Sequence, residues 1–135
     1  MKRAFGDSFY FLALFNRNDA AHADATTAAK SLEGILVTTD WILTEVADAL
    51  SAPENRVRCA ELIEDLRRSK RVEIVECSRR LFDSGWKLYR ARDDKSWSLT
   101  DCISFIVMQE NSITDALTGD RHFEQAGFRA LLRQG

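Results

Sequence analysis

Short apolar segments with the length of β-strands alternate with longer segments of helical periodicity along this chain. The predicted strands occupy residues 3–6, 35–38, 72–75, 115–118 and 128–132. The predicted helices occupy residues 8–15, 19–32, 40–52, 54–68, 79–92, 100–110 and 121–126. Strands that are separated by helices are typical of parallel sheets, in which each helix crosses over a face of the sheet. This order therefore predicts an α/β fold with a mostly parallel sheet and helices on both faces.

The chain is short, and its charges are nearly balanced. Its 135 residues predict a single domain spanning 1–135, and a hydrophobic content of 45% suffices for a packed core. A net charge of −2 excludes a strongly basic nucleic-acid module. It does not exclude a nucleic-acid enzyme, because an acidic metal site itself lowers the net charge. Three cysteines without a CxxC pair indicate reduced thiols, and no apolar run reaches the length of a membrane span. We therefore expect a cytoplasmic protein without membrane association.

Carboxylates stand directly after three of the predicted strands. Asp7 follows the first strand, Asp40 follows the second, and Asp120 follows the fourth. Since ligand sites of parallel sheets form outside the carboxyl ends of the strands, these residues are candidates for a common site. Helix capping is the alternative for each of them, because an Asp oxygen also accepts backbone N–H groups where a strand passes into a helix. The alternative extends to Asp101, which matches a capping box with Ser98.

Glu45 and Asp101 fit the capping alternative less well. Glu45 lies in the middle of a predicted helix beside its apolar stripe, and Asp101 precedes a helix that is apolar nearly all round. A carboxylate in such surroundings is costly unless it is paired, hydrogen-bonded or bound to a metal. No lysine or arginine lies three or four residues from Glu45, and Trp97 and Ser104 offer no charge to Asp101. Inward carboxylates from different elements predict an oxygen-ligand site for Mg²⁺ or Mn²⁺.

These acidic positions and two longer motifs together resemble a known protein family. The motifs are Trp-Ser-Leu-Thr-Asp-Cys-Ile-Ser-Phe at residues 97–105 and Thr-Gly-Asp-Arg-His-Phe-Glu-Gln-Ala-Gly-Phe at residues 118–128. With Asp7 and Glu45 they follow one another in order over essentially the whole chain. The ordered set resembles the PIN domain, and most of all the VapC-type toxins of bacterial toxin–antitoxin pairs.

The resemblance implies a three-layer α/β/α sandwich around a mostly parallel sheet of four or five strands. It implies a Mg²⁺- or Mn²⁺-dependent endoribonuclease that acts by water attack and leaves a 5′-phosphate and a 3′-hydroxyl. An RNA substrate, a cognate antitoxin protein and a homodimer are the partners that it implies. The four residues that match the family's metal-binding and catalytic acids are Asp7, Glu45, Asp101 and Asp120. The residues expected to support them are Asp94, Thr118, Ser8 and Ser104. Arg121 is expected either to contact an RNA phosphate or to offset the acidic charge.

Other functions are compatible with the same residues. The chain could be a non-catalytic α/β module that binds a partner, with carboxylates that only cap helices, or a PIN nuclease with a role in RNA processing other than that of a toxin. A phosphoacceptor domain would need a lysine after a late strand, and this chain has none there.

The histidines and tryptophans have ordinary structural interpretations. A metal-free ribonuclease would use a pair of histidines, but His22 and His122 stand in no comparable motif, and His122 is expected to pack beside Phe123. The three tryptophans, Trp41, Trp86 and Trp97, are expected to belong to the core or to a dimer surface rather than to stack on RNA bases.

Overall fold

The structure is a computed structural model that describes residues 2–133, so Met1, Gln134 and Gly135 of the predicted 1–135 domain lie outside it. Its five strands are β1 Arg3–Gly6, β2 Ile35–Thr39, β3 Val72–Val75, β4 Asp115–Leu117 and β5 Arg129–Ala130. The helices within residues 2–133 are α1 Ser8–Phe15, α2 His22–Ser31, α3 Asp40–Ala49, α4 Pro53–Arg68, α5 Arg79–Ala91, α6 Leu99–Glu110 and α7 Arg121–Gln125.

The strands form one sheet in the order β3-β2-β1-β4-β5, and every neighbouring pair is parallel. The helices flank this sheet, which confirms the predicted α/β/α sandwich with five strands. The chain moves outward from β1 to β2 and β3 on one side and returns to β4 and β5 on the other. Connections that leave a strand in opposite directions open a crevice at its carboxyl end, so this topology favours a ligand site between β1 and β4.

Some predicted boundaries were wrong, and local hydrogen bonds explain why. The second helix begins at His22 rather than at residue 19, because the Asp19 carboxylate accepts the Ala21 N–H at 2.8 Å and forms a turn. The third helix ends at Ala49 rather than at residue 52. Pro53 opens α4, and the residue before a proline avoids helical backbone angles.

An aromatic cluster links α6 and α7 to the sheet. The ring of Phe105 in α6 lies edge-on to Phe123 and to Trp97, with both centroid distances 5.0 Å, and Phe123 also contacts Phe5 of β1. Trp97 is buried, which agrees with the predicted core role, and its Nε1 donates to Gln125 at 3.0 Å. Within residues 2–133 no helix has the length and apolarity needed to cross a bilayer. The cluster fixes the amino end of α6, where Asp101 lies.

Gly85 allows α5 to lie against α6. A Cβ at this position would stand 2.4 Å from Cγ1 of Ile103, and the backbone of Ile103 would be at 3.2 Å. Gly85→Ala is therefore expected to destabilise the protein by about 1–3 kcal/mol despite the better helix propensity of alanine. Urea unfolding measures this effect, with exposed Asp83→Ala on the same helix as the control. Equal or higher stability of Gly85→Ala would show that the two helices can separate without cost.

Candidate active site

A hydrogen bond from a hydroxyl group connects the carboxyl ends of β1 and β4. The Thr118 hydroxyl, directly after β4, donates to Asp7 Oδ2 at 2.7 Å, and its oxygen accepts the Asp120 N–H at 3.0 Å. Thr118 is fully buried, and the Asp7 amide adds a backbone bond to the Leu117 carbonyl. Two of the acids proposed from sequence are thereby held at the crevice that the sheet topology favours.

Asp7 is a buried acid that does not cap a helix. Only 5% of the residue is exposed, and although it precedes α1, its carboxylate makes no capping hydrogen bond there. The pKa of Asp7 is raised to about 7, mainly by burial and also by the negative charges of Asp101 and Glu45. The Thr118 hydroxyl and the Ser8 amide act in the opposite direction. The capping explanation therefore does not account for Asp7.

Glu45 reaches the same group of acids from α3. Thr39 begins this helix by accepting the Ile42 N–H at 3.1 Å, and the Thr38 hydroxyl ties β2 to β1 through the Gly6 carbonyl at 2.8 Å. Burial raises the pKa of Glu45, and the charges of Asp101 and Asp48 add to the rise. The Ser8 hydroxyl acts in the opposite direction on the pKa of Glu45, and its supporting role stays a prediction. Asp7, Glu45 and Asp101 thus interact electrostatically although they come from three separate elements.

Asp101 combines a capping bond with a position in the cluster. It forms the predicted capping box with Ser98: its Oδ2 accepts the Ser98 N–H at 3.1 Å, and its N–H donates to Ser98 Oγ at 2.9 Å. Its side chain is only 13% exposed. Burial raises the pKa of Asp101, and the charge of Asp120 raises it further. Asp101 therefore caps α6 and also lies close enough to Asp120 for the two negative charges to repel each other.

The expected packing of His122 beside Phe123 was wrong, because its ring turns to the acids. Nδ1 of His122 lies 2.9 Å from Asp101 Oδ2 and 3.4 Å from Asp120 Oδ1. Asp120 caps α7 by accepting the His122 N–H at 2.9 Å, which sets the histidine in the first turn beside it. Sequence reasoning missed His122, although its place two residues after a capping Asp could have indicated it. Asp101 also gains a partner that was not expected.

The remaining predicted residues divide between the cluster and the surface. Ser104 does not hydrogen-bond a carboxylate as predicted: it is the buried side chain within residues 2–133 whose oxygen lacks a partner. Asp94 is exposed and forms a two-point ion pair with Arg92, with both N–O distances 3.0 Å. Arg121 is exposed at the start of α7. Asp40 does not cap α3, because Thr39 occupies the N-cap position. The Asp40 carboxylate instead accepts the Cys77 N–H at 3.0 Å.

The donor set of the cluster suits a divalent cation. Ligand atoms of Asp101, Asp120 and His122 all lie within 4.8 Å of one another. Asp7 and Glu45 are not part of this group, and an electrostatic interaction with Asp101 connects each of them to it. Within residues 2–133 the ion pairs of the four acids involve His122 and no lysine or arginine. Carboxylate oxygens are the ligands that Mg²⁺ and Mn²⁺ prefer, and a bound cation would offset the negative charge that the acids bring together.

Replacing Thr118 by valine is expected to lower stability by about 2 kcal/mol, because Asp7 Oδ2 and the Asp120 N–H both lose a buried partner. Thr118→Ser is the matched control, since serine keeps the hydroxyl and loses one buried methyl group. Urea unfolding at pH 8 without metal compares the two variants. If both lose the same stability, the hydroxyl does not support these residues.

Known proteins share this fold, and one of them is similar in sequence over most of the chain. The chain is 28% identical over 124 residues to the 23S rRNA-specific endonuclease VapC20 of Mycobacterium tuberculosis. The aligned region covers 92% of this chain and 94% of that protein. The crystal structure of VapC20, described as a Sarcin-Ricin loop cleaving toxin, superposes with a TM-score of 0.86 over 93% of this chain and 96% of that one. VapBC2 from Rickettsia felis, solved on promoter DNA, shares the fold at 12% identity, with a TM-score of 0.66 and 93% of each chain covered. Residues 5–129 match the PIN domain, and the chain belongs to that family, as its motifs predicted.

Proposed function

We propose that this protein is a metal-dependent endoribonuclease that hydrolyses RNA phosphodiester bonds, and that it is the toxin of a toxin–antitoxin pair. One observation carries the proposal: a buried Asp7, with a pKa raised to about 7, faces the charges of Glu45 and Asp101. Acids that repel one another in a crevice are typical of functional sites rather than of structural ion pairs. The similarity to VapC20, which is named a 23S rRNA-specific endonuclease, supports RNA as the substrate.

The alternative of carboxylates that serve only as helix caps explains part of the cluster. Asp101 and Asp120 do accept backbone N–H groups at the starts of α6 and α7. Asp7 makes no capping bond, and Glu45 lies inside α3, where no cap is needed. Both nevertheless have a pKa that burial raises, so their placement destabilises the ionised, metal-free protein. A binding module without a catalytic site would have no use for this arrangement.

The protein's own bonds leave particular oxygens for a ligand. Both hydrogen bonds to Asp101 use Oδ2, and the His122 N–H uses Oδ1 of Asp120, so Asp101 Oδ1 and Asp120 Oδ2 receive none of these bonds. The Thr118 hydroxyl donates a hydrogen bond to Oδ2 of Asp7 and so fixes the rotamer of that carboxylate. In this proposal the Ser8 hydroxyl, which acts against the rise in the pKa of Glu45, orients that carboxylate. The four acids would thus present fixed oxygens to Mg²⁺ or Mn²⁺.

The substrate explains why a cation is needed at such a site. An RNA phosphodiester is anionic and would be repelled by Asp7, Glu45, Asp101 and Asp120 together. When bound, Mg²⁺ or Mn²⁺ supplies positive charge to the phosphate and lowers the pKa of a water molecule that can attack it. His122 positions Asp101 and Asp120 in this proposal and is not required as a nucleophile. Arg121, exposed beside Asp120, would contact a flanking phosphate or offset the acidic charge.

An RNA cleavage assay tests the proposal. The protein is incubated with 5′-labelled RNA, including ribosomal RNA because of the similarity to VapC20, in Mg²⁺, Mn²⁺ or EDTA. We expect internal cuts in Mn²⁺ or Mg²⁺, loss of cutting in EDTA, and products with 5′-phosphate and 3′-hydroxyl ends. Cutting that persists in EDTA, or products with 2′,3′-cyclic phosphate ends, would contradict the metal-dependent mechanism.

Expression in bacteria separates a toxin from a nuclease that processes RNA. Induction of a toxin should stop growth, and co-expression of a small protein encoded immediately upstream should restore growth. The cytoplasmic location and the homodimer predicted from sequence belong to the same proposal, and sedimentation of the purified protein measures the oligomeric state. Unimpaired growth on induction of an active enzyme would favour RNA processing.

A further inference from the structure

Two aromatic rings form a stacked pair on the surface of α5. Trp86 and Tyr89 are one helical turn apart, their ring centroids are 5.4 Å apart and their planes differ by 11°. Each residue is 44% exposed, and they are the exposed large aromatic side chains within residues 2–133. Leaving two such rings in water is costly, so a surface pair of this kind indicates a binding surface.

The pair lines one side of a groove with a volume of about 770 Å³. Arg90, Lys95 and one acid, Asp93, also line it. Arg92 forms part of the wall: its guanidinium lies 5.1 Å from the Trp97 ring centroid and is bound to Asp94. The groove therefore combines ring faces with cationic side chains, which is the combination that binds single-stranded nucleic acid.

The groove and the cluster of acids are connected through the start of α6. Ser98, Leu99 and Cys102 at the start of α6 also line the groove. Ser98 is also the capping-box partner of Asp101, through bonds of 2.9 and 3.1 Å. One residue thus both lines the groove and hydrogen-bonds an acid of the proposed cleavage site.

We propose that this groove binds unpaired bases of the RNA substrate beside the cleaved bond, with a base stacked on the Trp86–Tyr89 pair. The inference rests on the proposed ribonuclease function and adds a substrate contact to it. Charge favours RNA over a second copy of the chain. Residues 86–95 carry four cations and two acids, and an isologous contact at this face would bring like charges together across the two-fold axis.

Binding of short RNAs to the Asp7→Asn protein tests the inference without cleavage. The probes are fluorescein-labelled decaadenylate and an oligonucleotide of the same length that lacks its bases, measured by fluorescence anisotropy. Trp86→Ala and Tyr89→Ala are each expected to weaken binding of decaadenylate about tenfold, while Trp86→Phe keeps a ring and binds within about threefold. The control is Val57→Ala, which removes an exposed hydrophobic side chain on a different helix, α4. It should bind decaadenylate as tightly as the Asp7→Asn parent. The base-free probe should not distinguish Trp86→Ala from its parent.

The other results would overturn the inference. Unchanged affinity of Trp86→Ala, or an equal loss for the base-free probe, would remove the stacking role. Self-association weakened by Trp86→Ala, with unchanged RNA affinity, would assign the pair to a contact between copies. In the active protein, Trp86→Ala should raise the KM for RNA and leave kcat unchanged. If the unaltered protein cleaves RNA and the KM of this variant is normal, the inference fails and the proposed function stands. If the unaltered protein neither binds nor cleaves RNA, both fail.

Discussion

Asp7→Asn is expected to lower RNA cleavage at least about a hundredfold while leaving the fold intact. Asn has nearly the same shape, and its carbonyl oxygen can accept the Thr118 hydroxyl that now donates to Asp7 Oδ2. The negative charge at the centre of the cluster is lost, and with it a ligand for the proposed cation. A metal supplies several kcal/mol to such reactions, and each 1.36 kcal/mol is tenfold in rate.

The matched control for this variant is Asp40→Asn. Asp40 also stands directly after a strand, but its carboxylate bonds the Cys77 amide and lies outside the group of interacting acids. Cleavage by Asp40→Asn should stay within a few-fold of the unaltered protein. Circular dichroism and urea unfolding are used to check that both variants fold. Full activity of folded Asp7→Asn would exclude the proposed active site.

The second large effect is a loss of stability of the metal-free protein as the pH rises from about 4 to about 7. The pKa of Asp7 is raised from 3.8 to about 7 by burial, so in this window the folded protein binds a proton that the unfolded chain has released. Stability falls with pH wherever the folded state binds more protons. Glu45 and Asp101, whose pKa values are also raised by burial, act in the same direction. The shift of Asp7 corresponds to a loss on the order of 4 kcal/mol.

Divalent metal should reverse this loss. At pH 7.5, Mn²⁺ is expected to raise the melting temperature, since it binds the ionised carboxylates of the folded protein. Asp7→Asn removes the titrating group, so without metal it should be more stable than the unaltered protein at pH 7.5 and should respond weakly to Mn²⁺. Thermal melting at pH 5 and 7.5, with Mn²⁺ or EDTA, measures all three effects. Higher metal-free stability at pH 7.5 than at pH 5 would contradict the raised pKa of Asp7.

The pattern of short apolar strands between amphipathic helices was enough to predict the parallel sheet and its flanking helices. Each predicted strand is present, although β5 is reduced to Arg129–Ala130, and the helices differ from prediction mainly at their ends. The ends were harder to predict because one side-chain bond, such as that of Asp19 to the Ala21 amide, decides where a helix begins. The residues also indicated the four acids, through strand ends and unpaired carboxylates in apolar surroundings.

The side-chain partners of those acids were not predictable from local spacing. His122 was expected to pack beside Phe123, yet it contacts Asp101, which is 21 residues away in sequence. Ser104 was expected to support a carboxylate and has no partner, whereas Asp94 pairs with Arg92 at the surface. The contact of His122 with Asp101 depends on how the starts of α6 and α7 pack together, which local spacing does not show.

By itself, the sequence determined the α/β class, the parallel strands and the residue types at the strand ends, since these follow from local hydrophobic periodicity and chain connectivity. The tertiary structure alone decided that β1 and β4 are neighbours, and hence that Thr118 bonds Asp7 across 111 residues. It also decided the pKa of Asp7, because burial and the charges of Glu45 and Asp101 arise only when distant segments pack together.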